Sequence, residues 1–253
     1  MKIVRMQTDE GIRYGGVEPD GIRIYDGTPF VAWQPTEVLV DFGKARLLAP
    51  VFPTKVVGVG SNYAMHVEEM GRQLPDSPTV FLKPSTAVVG PGRPIVLPAL
   101  SQEVHHEAEL VVVIGKVARK VAVEDASSVV LGYTAGNDVT ARDLQREDGQ
   151  FTRAKGFDSF CPLGPAIETE YDPLEDFSLE CRVNGEIRQG TSINDMIFGV
   201  AELIAFVTSV MTLLPGDVIM TGTPSGVGPI RHGDLVEVTL EGVGTLSNPV
   251  VAE

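Results

Sequence analysis

At 253 residues with 43% hydrophobic side chains, the chain is long enough for one substantial core with a small appended unit, and too apolar to be disordered. Its formal net charge of −14 argues against nucleic acid or an anionic membrane as a partner. Two cysteines, Cys161 and Cys181, are too few for a disulfide framework, and Cys161 before Pro162 reads as a packed thiol rather than a nucleophile.

Met1-Lys2-Ile3-Val4-Arg5 lacks the apolar stretch of a signal peptide. Residues 1–49 carry short alternating runs, Ile12-Arg13-Tyr14 and Gly21-Ile22-Arg23-Ile24-Tyr25, separated by Gly, Asp and Pro, which predicts a small N-terminal β domain. Pro50 and Pro53 bracket a junction to a larger unit, residues 50–253. Its strands are expected at Lys55–Gly60, Val80–Lys83, Glu107–Ile114, Tyr133–Val139, Leu179–Val183, Asp217–Thr221, Leu235–Leu240 and Gly244–Val250. Helices are expected at about 123–131 and at 193–211, the second from the spacing of Ile193, Ile197, Val200, Ile204 and Val207 behind Ser192 as a cap. The longest apolar stretch, Phe198–Leu214, is broken by Gly199, Glu202, Thr208, Ser209 and Thr212, so no membrane span is expected, and a cytoplasmic location is the default. Strands not regularly interleaved with helices argue against a doubly wound fold or a TIM barrel and for a mainly β, α+β architecture with a mixed sheet.

Within this order the run His105-His106-Glu107-Ala108-Glu109-Leu110-Val111-Val112-Val113-Ile114 is the most informative. Strand alternation points Glu107 and Glu109 the same way, toward a buried sheet, where paired carboxylates must take up protons or bind a cation. The same pattern also occurs at a solvated sheet edge. Asp138, in a second strand-like stretch, tips the balance because it can deliver a third oxygen. Three carboxylates suit a hard ion, Mg²⁺ or Mn²⁺. Zinc is disfavoured, since adjacent His105 and His106 face opposite sides of a strand and no His-x-x-x-His or Cys pair supports it.

Six segments together resemble the fumarylacetoacetate hydrolase family over residues 50–253. They are Gly58-Val59-Gly60-Ser61-Asn62-Tyr63-Ala64-Met65-His66, Phe81-Leu82-Lys83-Pro84-Ser85, His106-Glu107-Ala108-Glu109-Leu110, the run from Gly136 to Asp143, that from Lys155 to Pro165, and that from Thr221 to Gly228. The resemblance implies a mixed β-roll core, a metal site made by Glu107, Glu109 and Asp138, and a homodimer. It implies a 2-oxo acid substrate chelated by the metal, which turns the substrate into an electron sink whose C–C bond breaks to leave an enolate. Lys155 matches the family's lysine and would stabilise that enolate, although most lysines are simply solvated. Arg142 and Gln145 match substrate-binding positions, with pairing of Arg142 to Asp143 or Glu147 as the plainer alternative. Thr223, in a loop that is otherwise an ordinary turn, would meet the substrate carboxylate. His66 and Glu69 share one side of a helical turn, so Glu69 could orient His66 as a general base, where the bland alternative is a surface pair. Ser61–Pro78 matches the family segment that closes over substrate, and Met65–Asp76 is expected to order on binding.

Acylpyruvate hydrolysis is the leading expectation, followed by oxaloacetate decarboxylation and isomerisation of a 2-hydroxyhepta-2,4-diene-1,7-dioate. An inactive binding module of the same fold is the alternative from another class, disfavoured because each of these positions holds a competent residue.

Overall fold

A computed structural model describes residues 1–71 and 73–253. The strand Ala108–Ile114 is buried along its whole length. Val130–Asn137 and Val218–Met220 flank it, both antiparallel. Its alternate side chains enter two cores. Leu110, Val112 and Ile114 join Val57, Ile204 and Leu240 on one face, while Val111 and Val113 join Ile3, Val56, Leu163 and Met220 on the other. Burying each such side chain contributes roughly 1.5–3 kcal/mol, so this strand is an anchor of the fold.

Among the described residues it lies inside a twelve-stranded sheet. The path runs Trp33–Val40, Gly21–Gly27, Gly11–Glu18, Lys2–Thr8, Cys161–Glu168, Val130–Asn137, Ala108–Ile114, Val218–Met220, Val56–Gly60, Thr79–Lys83. Val218–Met220 pairs in parallel with Val56–Gly60, which makes the sheet mixed. The N-terminal strands are part of it, joined where Lys2 faces Glu168 and Ile3 faces Ile167. A five-stranded sheet, Glu186–Ser192, Ser178–Val183, Leu235–Leu240, Gly244–Ala252 and Ile95–Leu97, closes over the first core. The architecture is mainly β with few helices, as the sequence implied.

Four α-helices are described: α1 (Ala64–Glu69), α2 (Arg142–Asp148), α3 (Phe151–Lys155) and α4 (Val200–Val210). The helix expected at 123–131 is a 3₁₀ segment, Val123–Val129, that runs straight into the strand Val130–Asn137. Ser127, Ser128 and the β-branched Val129-Val130 pair favour turn and strand over helix. The helix expected at 193–211 begins only at Val200. Ser192 caps a single 3₁₀ turn, Ile193–Asp195, through the Asn194 N–H, and Gly199 starts the true helix with its N–H on Glu202 at 2.9 Å. Cys161–Glu168 and Glu186–Ser192 are strands that the sequence did not suggest. In the first, Pro162 and Pro165 disguise a central strand. Among the described residues no helix is long and apolar enough to cross a membrane.

Candidate active site

Glu107 occupies the step between the strands Val104–His106 and Ala108–Ile114, and Asp138 follows the strand Val130–Asn137. The two chain segments are locked to each other: the Glu107 N–H donates to Asn137 Oδ1 at 2.9 Å, and the Asp138 N–H donates to the Glu107 carbonyl at 2.8 Å. Glu109 lies two residues into the same run. The structure therefore brings Glu107, Glu109 and Asp138 together, all buried, with one oxygen of each within 4.8 Å of the others.

Three cations surround them. α2 begins at Arg142, whose guanidinium pairs with Glu107 and donates to Gln145 Oε1 at 2.9 Å. The alternative partner Asp143 is taken by Ser101 Oγ and the Gln102 N–H. α3 ends at Lys155, whose Nζ reaches Glu107 Oε2 at 2.8 Å, Asp138 Oδ2 at 2.5 Å and Thr140 Oγ1 at 2.8 Å, and lies 4.9 Å from the centre of the Phe81 ring. Lys83, at the end of Thr79–Lys83 and 1% exposed, pairs with the other Asp138 oxygen. Reading the sequence assigns no role to Lys83. The one signal for it is a lysine in phase with the inward side chains of a strand end.

The carboxylates separate electrostatically. Burial pushes the Glu107 pKa up, but Arg142 and Lys155 outweigh it and hold the group well below the ordinary range. Burial, then the charges of Asp138 and Glu107, raise Glu109 well above it. Glu109 accepts one bond, from the Gly222 N–H at 2.7 Å, and among the described residues no cation lies within ion-pair distance. Gly222 has φ +101°, and a Cβ there would stand 2.7 Å from Asn62 Cβ, so the loop reaches Glu109 only with glycine. An under-partnered buried carboxylate beside two others is an all-oxygen donor set that fits a hard divalent cation. His106 Nδ1 is turned to Gln189 and His105 Nε2 to Glu103, so neither histidine joins the donors.

α1 covers the carboxylates. Asn62, fully buried, ties its base to Phe198 and to the Thr221 carbonyl. His66 Nδ1 meets Glu69 Oε2 at 3.0 Å, and Glu69 Oε1 accepts from the Gly226 N–H at 3.0 Å. His66, Arg142, Gln145, Lys155 and Thr223 line, with Glu107 and Glu109, a pocket of about 30 Å³. All nine residues singled out from the sequence thus fall in or beside one site. Thr223 differs in detail from its expected role: its hydroxyl donates to the Ala108 carbonyl at 2.9 Å and accepts from Gln189 Nε2 at 2.8 Å, so its proton is already committed. Of the segment Met65–Asp76, Arg72 lies outside the described residues.

Residues 55–251 match the family described as fumarylacetoacetate (FAA) hydrolase, C-terminal, and residues 1–50 match Rv2993c-like, N-terminal. Protein Rv2993c of Mycobacterium tuberculosis is 45% identical over 99% of this chain and 98% of its own. Oxaloacetate tautomerase Fahd2a, mitochondrial, of Rattus norvegicus is 43% identical over 84% of this chain and 72% of its own. The structure is similar to that of 5-carboxymethyl-2-hydroxymuconate delta-isomerase from Mycobacterium smegmatis, with a TM-score of 0.94, 47% identity and both chains fully covered.

Proposed function

This chain belongs to the fumarylacetoacetate hydrolase family, and on that premise we propose that it is a divalent-cation-dependent enzyme interconverting the enol and keto forms of a small 2-oxo dicarboxylic acid. The observation that carries the reading is the charge count of the buried site. Glu107, Glu109 and Asp138 face Lys83, Arg142 and Lys155, three negative against three positive. A divalent cation leaves two positive charges unbalanced in a desolvated place, and a dianionic substrate cancels them where a monoanion does not.

Bound at the three carboxylates, Mg²⁺ or Mn²⁺ would polarise a 2-oxo group and acidify the adjoining C–H. The chain's own residues do the rest. Arg142 Nε is a buried donor with no partner among the described residues, and Gln145 keeps its amide N–H groups; both suit a substrate carboxylate. Glu69 accepts from His66 Nδ1, which leaves Nε2 as the base. His66 takes the C3 proton, the C–H electron pair forms the C2–C3 double bond as the C2–O π pair moves onto oxygen, and the nearby Lys155 ammonium stabilises that oxygen charge as a fixed cation. Return of the proton to oxygen instead of carbon completes the exchange. A pocket of about 30 Å³ has room for a water or two. The α1 segment must therefore lift to admit substrate and close again.

The relative named oxaloacetate tautomerase supports this substrate class, and the muconate isomerase neighbour supports enol chemistry. Hydrolysis of an acylpyruvate is the second reading, favoured by the His66–Glu69 pair, which can equally activate a water. Assaying oxaloacetate tautomerisation, acylpyruvate cleavage and diene-diacid isomerisation with Mg²⁺, Mn²⁺ and EDTA separates the readings. Fast, EDTA-sensitive loss of the oxaloacetate enol signal is expected. Faster acylpyruvate cleavage selects the second reading, and indifference to EDTA sinks both.

A further inference from the structure

The strand Glu186–Ser192 is polar and largely solvated, yet Gln189 within it is 1% exposed. The cause is a bulge. Cys181 faces Gln189 while Arg182 faces Ile187, so Arg188 is the extra residue that turns the next side chain inward. The buried amide then uses its full capacity. Its Oε1 accepts from the Ala108 N–H and from His106 Nδ1, both at 3.0 Å, and its Nε2 donates to Thr223 Oγ1 at 2.8 Å and to the Pro224 carbonyl at 2.9 Å. The orientation of the amide is unambiguous, because a backbone N–H can only donate and a backbone carbonyl can only accept. Thr223 Oγ1 therefore accepts from Gln189, sends its own proton to the Ala108 carbonyl, and offers only a lone pair.

The bulge also grips the loop by its backbone. Gly226 has φ +95°, and a Cβ on it would stand 2.1 Å from the Arg188 carbonyl oxygen. On its other side the Gly226 N–H is held by Glu69 of α1. The segment carrying Thr223 is thus clamped between the hairpin and α1.

We infer that Gln189 is a positioning residue of the active site, which fixes Thr223 as a hydrogen-bond acceptor and holds the 221–226 loop at the pocket. This rests on the proposed reading of the pocket as a 2-oxo acid site. Gln189→Glu is the selective probe: it keeps an acceptor for Ala108 and His106 but replaces both donors toward Thr223 and Pro224. Gln189→Leu removes all four bonds and serves as the severe variant, judged only if its Tm shows a folded protein. Calorimetric titration with Mg²⁺, then in the presence of Mg²⁺ with tartronate, a 2-hydroxy dicarboxylate whose hydroxyl can donate to Thr223, reads the two functions apart. Gln189→Glu should hold Mg²⁺ within about threefold of wild type and lose about tenfold or more in tartronate affinity. Thr223→Val should lose a comparable amount, and the double variant should be no worse than about threefold below the weaker single one.

Unchanged tartronate binding in folded Gln189→Glu overturns the inference, as do losses that simply add. Mg²⁺ affinity falling in step with tartronate affinity also overturns it, since Gln189 would then act through Ala108 and the carboxylates. If wild type binds Mg²⁺ but no tartronate, the substrate reading has failed on its own. Hydrogen exchange then decides the clamp: faster exchange across residues 221–228 in Gln189→Glu supports it, and wild-type rates overturn it.

Discussion

A groove of about 680 Å³ runs between the Val123–Val129 segment, residues 169–174 and α4, whereas the pocket over Glu107, Glu109 and Asp138 encloses about 30 Å³. The groove has an aromatic flank, with Tyr133 and Tyr171 ring centres 5.2 Å apart and Tyr171 stacked on Phe177 at 4.4 Å. Its acids, Glu170, Asp172 and Glu202, are exposed. In the small pocket all three carboxylate ligand candidates are buried, and Glu107 and Asp138 are pressed against cations while Glu109 is not. Water screens charge in the groove but hardly reaches the buried carboxylates of the pocket, where the proton affinities of Glu107 and Glu109 are displaced in opposite directions. Desolvation rather than volume singles out the candidate site.

Removing one pocket carboxylate gives the largest contrast. Glu109→Gln should lower Mg²⁺ affinity by more than the roughly 10–100-fold typical of losing a mere outer partner of a metal ligand, and activity with it. The metal-free protein should not suffer, because a neutral amide relieves the repulsion from Asp138 and Glu107 that Glu109 now feels. Calorimetry and thermal melts of the apo protein check both halves. A destabilised apo variant with intact Mg²⁺ binding would break the assignment.

Lys83→Met reaches the same cluster from its other side. Leaving Asp138 buried beside one cation instead of two should cost about 3–5 kcal/mol in urea unfolding, the scale for breaking a buried ion pair. Adding Asp138→Asn should recover part of the loss, and strict additivity of the two would count against a direct pairing.

Glu107, Glu109 and Asp138 were legible because acids paired by strand alternation in a Val-rich, buried run must find either protons or a cation. Arg142, Gln145, Lys155 and Thr223 were legible only through resemblance, since nothing in their local sequence separates them from solvated residues. Lys83 and Gln189 were not assigned at all. The first is buried by strands far away in the chain, and the second is turned inward by a bulge that a polar hairpin sequence does not announce. The boundary at Gly199 was lost for a related reason: Ile193 and Ile197 keep helical spacing while Asn194 and Asp195 make a turn, so periodicity outvoted local chemistry.

His66→Ala should reduce turnover by about two orders of magnitude, as for other general bases, with Mg²⁺ affinity intact because His66 touches Glu69 rather than the carboxylate cluster. Equal loss of tautomerisation and acylpyruvate cleavage would assign His66 to a proton transfer common to both.

A pH series sharpens the contrast inside the pocket. The Glu109 pKa is raised above 4.5, so its contribution to apo stability is fully present below 4.5 and is lost as pH rises through the raised native value. Glu107 is shifted the other way, and its contribution is present above 4.5 and lost as pH falls through the depressed native value. Mg²⁺ needs ionised Glu109, so its affinity should rise with pH over the window in which Glu109 stabilises the apo protein less. Titration calorimetry in buffers of different ionisation enthalpy should detect the proton released. A pH-independent Mg²⁺ affinity above pH 5 would contradict the raised Glu109.

The smallest expected effect lies in the groove. Leu174 is 84% exposed and lines that groove, so Leu174→Asp meets water rather than a core and should change stability by no more than about 0.5 kcal/mol. None of the described hydrogen bonds of the pocket passes through residues 169–174, and a new solvated charge there is screened beyond about 8–10 Å at ordinary ionic strength. Turnover and Mg²⁺ affinity should therefore stay within about twofold of wild type, whereas the charge change in Glu109→Gln should lower both by far more. Steady-state kinetics and calorimetry on Leu174→Asp decide the matter. A clear loss of activity with the fold and Mg²⁺ affinity intact would mean that the groove and the pocket are coupled, through the face where Tyr133 packs in the same core as the strand bearing Glu109.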